Sequence, residues 1–147
     1  MVERSAVPAP RLASRLRHST VVIIEPDDIA RDQYRSALKP LGCSLIQAAA
    51  GTAGLAIVRS FVPDLIITEL MLPDSSGIDL LTALDADANL RSIPVIAISS
   101  KSALSELSPA IAVEFADCLL KPVDAPRLRA VVLRMLEQDF TLRAAQR

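Results

Sequence analysis

Glycine is scarce in this chain: only Gly42, Gly51, Gly54 and Gly77 occur among 147 residues. Their spacing excludes G-x-G-x-x-G and G-x-x-x-x-G-K-[ST], where glycine lets backbone amides close on a phosphate. Aromatics are equally thin, 3% with no tryptophan, which removes base-stacking platforms and an aromatic-rich interface. Neither sign of charge dominates. The 16 basic and 17 acidic residues leave a net charge of −1, against a Lys/Arg-dominated nucleic-acid surface. Two cysteines, Cys43 and Cys118, are too few for a disulfide scaffold. No apolar run approaches the roughly 20 residues that span a bilayer. The start of the chain carries Arg4, Arg11, Arg15 and Arg17 but no apolar stretch of the secretory type. The expectation is a cytoplasmic protein that binds neither nucleic acid nor membrane.

What the chain has is apolar bulk, 51% hydrophobic against 22% charged residues, enough for one packed domain and against disorder. Residues 1–19, with Pro8, Pro10 and a local positive charge, read as a flexible tail, or alternatively a docking arm for an acidic partner. Residues 20–138 read as the domain and 139–147 as a C-terminal tail.

From Val21 the pattern is regular. Val21 to Ile24 is a continuous β-branched run, as a strand buried on both faces requires. Asp27 or Asp28 can cap a helix with Ile29, Tyr34, Ala37, Leu38 and Leu41 on one side. Pro40 and Gly42 end it. Cys43–Ala48 is a weaker strand, Thr52–Phe61 a helix stopped by Pro63, and Asp64–Glu69 a third strand. A loop with Pro73 and Gly77 leads to a helix from about Ile78 to Asp87. Val95–Ser99 is strand four, a short helix starts near Pro109, and Cys118–Leu120 is strand five. Asp124 and Pro126 open a last helix that buries Leu128, Val131, Val132, Met135 and Leu136. Five apolar strands alternating with five helices make an α/β fold, a doubly wound parallel sheet. Right-handed crossovers leave few topologies, among them the flavodoxin-like order 2-1-3-4-5.

In such a sheet the strand C-termini share one edge, where ligands bind. Glu25, Glu69, Ser99 and Lys121 fall there, one after each of four strands. A site, or the remnant of one, is expected in place of ordinary solvated strand ends.

Over about Val21 to Leu136 the sequence resembles the receiver domain of two-component response regulators. The resemblance rests on Val22-Ile23-Ile24-Glu25, on Pro63-Asp64-Leu65-Ile66-Ile67-Thr68-Glu69-Leu70-Met71-Leu72-Pro73, on Gly77, on Ile93 to Ser99 and on Leu120-Lys121-Pro122. It implies a strand-three aspartate phosphorylated by a histidine kinase and two acidic residues after strand one that help hold Mg²⁺. It also implies a Ser or Thr ending strand four, and a lysine before a proline usually joined by a cis bond. The chain departs from this pattern at its chemistry. Glu69 stands at the acceptor position, Pro26 replaces the second acidic residue, and Cys118 stands at the aromatic switch position, while Ser99 and Lys121 fit.

Mg²⁺ wants near-octahedral oxygen ligands at about 2.0–2.1 Å. By the resemblance its ligands would be Glu25, Glu69 and the backbone carbonyl of Met71, a set weakened by Pro26. Glu69 carries one methylene more than aspartate, and a misplacement of roughly 1 Å can cost about 10²-fold in rate. Asp27 is a compensating carboxylate if it turns inward, or a helix N-cap. No cofactor is therefore expected, and no enzymatic activity. Glu25, Glu69 and Lys121 sum to −1, which suits a metal-free pocket with a permanent Glu69–Lys121 ion pair and Ser99 as hydrogen-bond donor. The alternative is a decayed pocket with Glu69 turned to solvent.

The resemblance implies a bacterial, stand-alone atypical receiver acting in phosphorelay signal transduction by protein–protein contact. Its partner would be a histidine kinase or a downstream regulator. The face of the fourth predicted helix, strand five and the fifth is a candidate for homodimerisation. Two alternatives stand beside it: an orthodox phosphoacceptor using Glu69 with Mg²⁺, or a partner-switching protein phosphorylated on Ser75, Ser76 or Ser99. His18 lacks a second metal ligand nearby, and Cys118 reads as a core residue.

Overall fold

The computed structural model describes residues 8–145. Five strands, β1 (Thr20–Ile24), β2 (Ser44–Ala48), β3 (Leu65–Thr68), β4 (Val95–Ser99) and β5 (Asp117–Leu120), form one parallel sheet in the order β2-β1-β3-β4-β5. This is the flavodoxin-like order expected. The central strands are apolar without alternation because helices cover both faces of the sheet. Val21 and Ile23 face one layer, Val22 and Ile24 the other. Ile23, Ile24, Ile66, Ile67, Ile96 and Ile98 are essentially fully buried, each contributing about 1.5–3 kcal/mol by burial.

On the first face lie α2 (Asp28–Leu38) and α7 (Ala125–Ala145), which bury Tyr34, Leu38, Leu128, Val132 and Leu136. On the second lie α3 (Gly51–Phe61), α4 (Gly77–Asp85) and the short α5 (Lys101–Ser105) and α6 (Pro109–Ala112), with Val58, Leu80 and Leu84 in that core. The close approach of α3 to β1 requires Gly54, where a Cβ would come within 2.4 Å of Ile24 Cδ1. A 3-10 turn over Lys39–Leu41 follows α2 and ends on Gly42, at φ 85°.

Each helix start near the strand C-termini is capped. The Asp27 carboxylate accepts from the Ala30 amide at 2.9 Å, and Ser76 and Asp79 form a reciprocal capping box at the start of α4. The first turn of α3 has no cap of its own and takes one from a distant loop. Asp74 accepts from the Gly51 and Thr52 amides at 2.8 and 2.9 Å. Those bonds, led by the ones from Thr52, pull its carboxyl down to about 2.

The structure departs from the sequence reading at several points. Residues 1–7 lie outside the described residues, but over 8–19 a helix, α1 (Pro8–Arg17), stands where a tail was expected. Its Leu16 is buried and its Leu12 packs on the same core layer. The expected C-terminal tail from residue 139 is, as far as Ala145, a continuation of α7. Arg15 of α1 lies 5.1 Å from the centre of the Phe140 ring of α7, so α1 and α7 brace each other. The single helix near Pro109 is two short helices, each capped by its own serine, Ser100 and Ser108. Ile29 is 70% exposed. It lies about 140° round the helix from Tyr34, and Ala30 takes the inward position.

Candidate functional site

Glu25, Glu69, Ser99 and Lys121 meet at the C-terminal edge of the sheet. Glu25 follows β1 directly, its amide donating to Ala48 O of β2 at 3.0 Å. The Glu69 amide donates to Ile24 O at 2.9 Å and the Lys121 amide to Ser99 O at 2.9 Å. Each residue is thus fixed by ladder-type bonds to the neighbouring strand before its side chain makes any contact. The Lys121–Pro122 peptide is cis.

The Glu69 carboxylate is fully engaged. Its Oε1 accepts from Lys121 Nζ at 2.6 Å. Its Oε2 accepts from the Ser99 hydroxyl and from the Leu70 and Met71 amides, the latter two at 2.6 and 3.2 Å. Burial pushes the carboxyl pKa up, but the ammonium of Lys121, the Ser99 hydroxyl and the Met71 amide outweigh it and hold it below the usual carboxylate range.

Glu25 is the second anchor. Its Oε1 stands 2.8 Å from Lys121 Nζ, and its Oε2 accepts from the Asp27 amide at 3.0 Å. Its backbone carbonyl accepts from Arg31 Nη1 at 2.7 Å. Burial alone would drive the Lys121 ammonium towards its neutral form. The hydrogen bonds and charges of Glu25 and Glu69 win, and its pKa is raised. Tyr34, beside them on α2, has its hydroxyl pushed up to about 12, chiefly by burial.

The other candidates fall elsewhere. Asp27 does not turn into the cluster; it is exposed and caps α2. Cys118 is half-buried on β5 against the second core layer. The Met71 side chain is exposed, while its amide serves Glu69. Ser76 is held in its capping box and Ser99 is buried. Sequence reasoning did not find the Leu70 and Met71 amides, Arg31 or Asp74. Of these only Arg31 had a local signal, its spacing of three from Asp28, with which it pairs.

The metal that the fold family implies does not fit these residues. One lysine already occupies the position between the two carboxylates that would have to bind it, the remaining oxygens accept hydrogen bonds from the protein, and position 26 is a proline. Among the described residues no helix is long and apolar enough to cross a membrane.

Residues 21–133 match the family described as response regulator receiver domain. The regulator of RpoS of Escherichia coli K12 is 31% identical over 117 residues, 79% of this chain and 34% of that protein. The regulatory protein LuxO of Vibrio vulnificus is 33% identical over 110 residues, 75% of this chain and 24% of that protein. The chain thus spans about a third or less of the length of these curated relatives. A response regulator from Desulfuromonas acetoxidans superposes with a TM-score of 0.71 at 32% identity, covering 82% of this chain and 98% of that one. Matched over most of its length and built on the same sheet order, the chain belongs to the response regulator receiver domain family.

Proposed function

We propose that this chain is an atypical receiver of the bacterial cytoplasm, one that signals by protein–protein contact and is not phosphorylated by the aspartyl route. The observation that carries the reading is the saturation of Glu69: both carboxylate oxygens are taken, by Lys121 on one side and by Ser99 and two amides on the other. Phosphoryl transfer depends on positioning and on a metal to neutralise developing charge. Here the oxygen that would attack is held by the ammonium that would otherwise meet the phosphoryl group. The longer glutamate draws Ser99 and Lys121 inward by itself, so the domain rests in one engaged, active-like state without a phosphodonor.

Its partner in this reading is a histidine kinase or a downstream regulator of a phosphorelay, which recognises the engaged state. The face of α5, α6, β5 and α7 offers exposed Val113 and Leu120 beside the Arg134–Asp117 pair, and a second copy of the chain is the simplest occupant for it.

Phosphate-affinity electrophoresis after incubation with acetyl phosphate and Mg²⁺ tests the reading. The expected result is no shifted band. A shifted band that disappears in Glu69→Ala would establish an orthodox phosphoacceptor instead, and a band that survives that change, mapped by mass spectrometry to Ser75 or Ser76, would favour serine phosphorylation. Partner affinity left unchanged by Glu69→Gln would remove the mimic.

A further inference from the structure

We infer that the free edge of β2 is a pairing surface for a second copy of this chain, joined antiparallel about a two-fold axis at Ile46. β2 ends the sheet on one side and pairs with β1 alone. The Ser44 amide donates to Ser19 O, and Ala48 O accepts from the Glu25 amide. In a parallel ladder alternate residues bond the same neighbour. Ser44, Ile46 and Ala48 therefore serve β1, and the backbone amides and carbonyls of Leu45 and Gln47 point outward. Among the described residues nothing takes up those outward groups.

Sheet edges are ordinarily guarded by charge, by proline or by a covering element. The opposite edge, β5, has such guards: Asp117 is paired with Arg134, and Lys121 and Pro122 follow the strand directly. The edge at β2 has none of them. From Pro40 to Val58 the chain carries no Asp, Glu, Lys, Arg or His, and Leu45, Ile46 and Gln47 are each half-buried. On the second face α3 packs over β1 and β2. Between Gly51 and Val58 its exposed residues are Thr52, Ala53 and Ala56, all small. A second copy brought edge to edge thus meets no charge on the strand or on this part of α3.

The strand's own symmetry selects the occupant. With Ile46 opposite Ile46 of the second copy, Leu45 faces Gln47 of that copy and Gln47 faces its Leu45. Each outward amide then donates to an outward carbonyl, and none is left over. Leu45 belongs to the core layer of α2 and α7 and Ile46 to the other, so like faces stay in register and the Ile46 side chains meet at the axis. The contact is isologous and closes on itself. It is also small, which places it among weak interfaces, with a Kd of about 1 μM to 1 mM. It lies at the far edge of the sheet from the β5 face and is independent of any contact made there.

The test joins sedimentation equilibrium to a cross-link. The full chain, taken up to about 1 mM, should show reversible monomer–dimer association. Gln47→Pro should weaken it at least tenfold, because proline removes an outward N–H that the fold itself does not use and is tolerated on edge strands. Gln47→Lys, which keeps the backbone and adds a charge to the edge, carries the comparison if the proline variant does not fold. Ile46→Cys reads the register directly. Opposed residues of a non-hydrogen-bonded antiparallel pair have Cα atoms about 4.5 Å apart, inside the span of about 4.4–6.8 Å that a disulfide bridges. In a glutathione redox buffer this variant should form a covalent dimer that is lost on adding Gln47→Lys and kept on adding Val113→Glu, beside β5.

A chain that stays monomeric up to that concentration overturns the inference and leaves the edge to an extended segment of another protein. So does an association that withstands both Gln47 variants, or one abolished by Val113→Glu alone, which would belong to the β5 face. Failure of Ile46→Cys to cross-link would overturn the register and with it the two-fold pairing.

Discussion

Two cations of this chain reach across elements to carboxylates at nearly the same distance. Lys121 stands 2.6 Å from Glu69 and 2.8 Å from Glu25, with side-chain exposures of 28%, 9% and 1%. Arg134 stands 2.9 Å from Asp117, at 55% and 27%. The geometry is alike and the surroundings are not. Near the surface water and salt screen the attraction, and such pairs contribute about 0–1 kcal/mol. Away from water, removing one partner strands the other in a medium that cannot solvate it, at a cost of about 3–5 kcal/mol. A contact list would rank the two pairs together; burial separates them, and only the buried one can fix the state of the domain.

The comparison is sharpest in Lys121→Met, which leaves Glu25 and Glu69 facing each other unpaired. Chemical denaturation should show a loss of about 3–5 kcal/mol; a loss below about 1 kcal/mol would put the pair in the same class as Arg134–Asp117. Next comes Ser99→Ala, which removes one buried donor from Glu69 Oε2 while the Leu70 and Met71 amides remain. A loss of about 1–3 kcal/mol is expected in the same assay.

The pH profile follows from the shifts. Glu69 titrates lower in the folded chain, so its contribution is present above the unfolded carboxyl pKa of about 4.3 and is lost as pH falls through the folded value. Lys121 titrates higher when folded, so its contribution is complete below about pH 10.4 and is lost as pH rises through the folded value. Stability carried by the cluster should therefore be flat across neutral pH, and Glu69→Gln should flatten the acid limb. An acid limb unchanged in that variant would assign the limb to other carboxylates. The smallest effect is that of Arg134→Ala, under about 1 kcal/mol and shrinking as salt is added.

Much of this was legible in the sequence because the relevant order is local or periodic. Val21–Ile24 and Val95–Ser99 announce buried strands by composition alone, and a parallel sheet sends every strand C-terminus to one edge. Glu25, Glu69, Ser99 and Lys121 could therefore be placed together without knowing any side-chain position. The misses share a cause. Helix α1 had a signal in Leu12 and Leu16, four apart, but its docking depends on a core layer that includes Phe140, at the far end of the chain. Asp74 caps α3 from more than 20 residues away, and the Leu70 and Met71 amides become donors to Glu69 only through the path of the loop after β3. Ile29 failed on angle, since one residue moves a side chain by about 100° round a helix.

The central claim is that Glu69 and Lys121 act as a unit, and a double-mutant cycle of Glu69→Gln and Lys121→Met on unfolding free energy measures it directly. The account predicts a coupling of about 1–3 kcal/mol, the double variant losing less than the sum of the single ones because Glu69→Gln removes one of the two carboxylates that Lys121→Met strands, leaving only Glu25 without its ammonium. A coupling within about 0.3–0.5 kcal/mol of zero would mean that Glu69 and Lys121 contribute independently, and would contradict it.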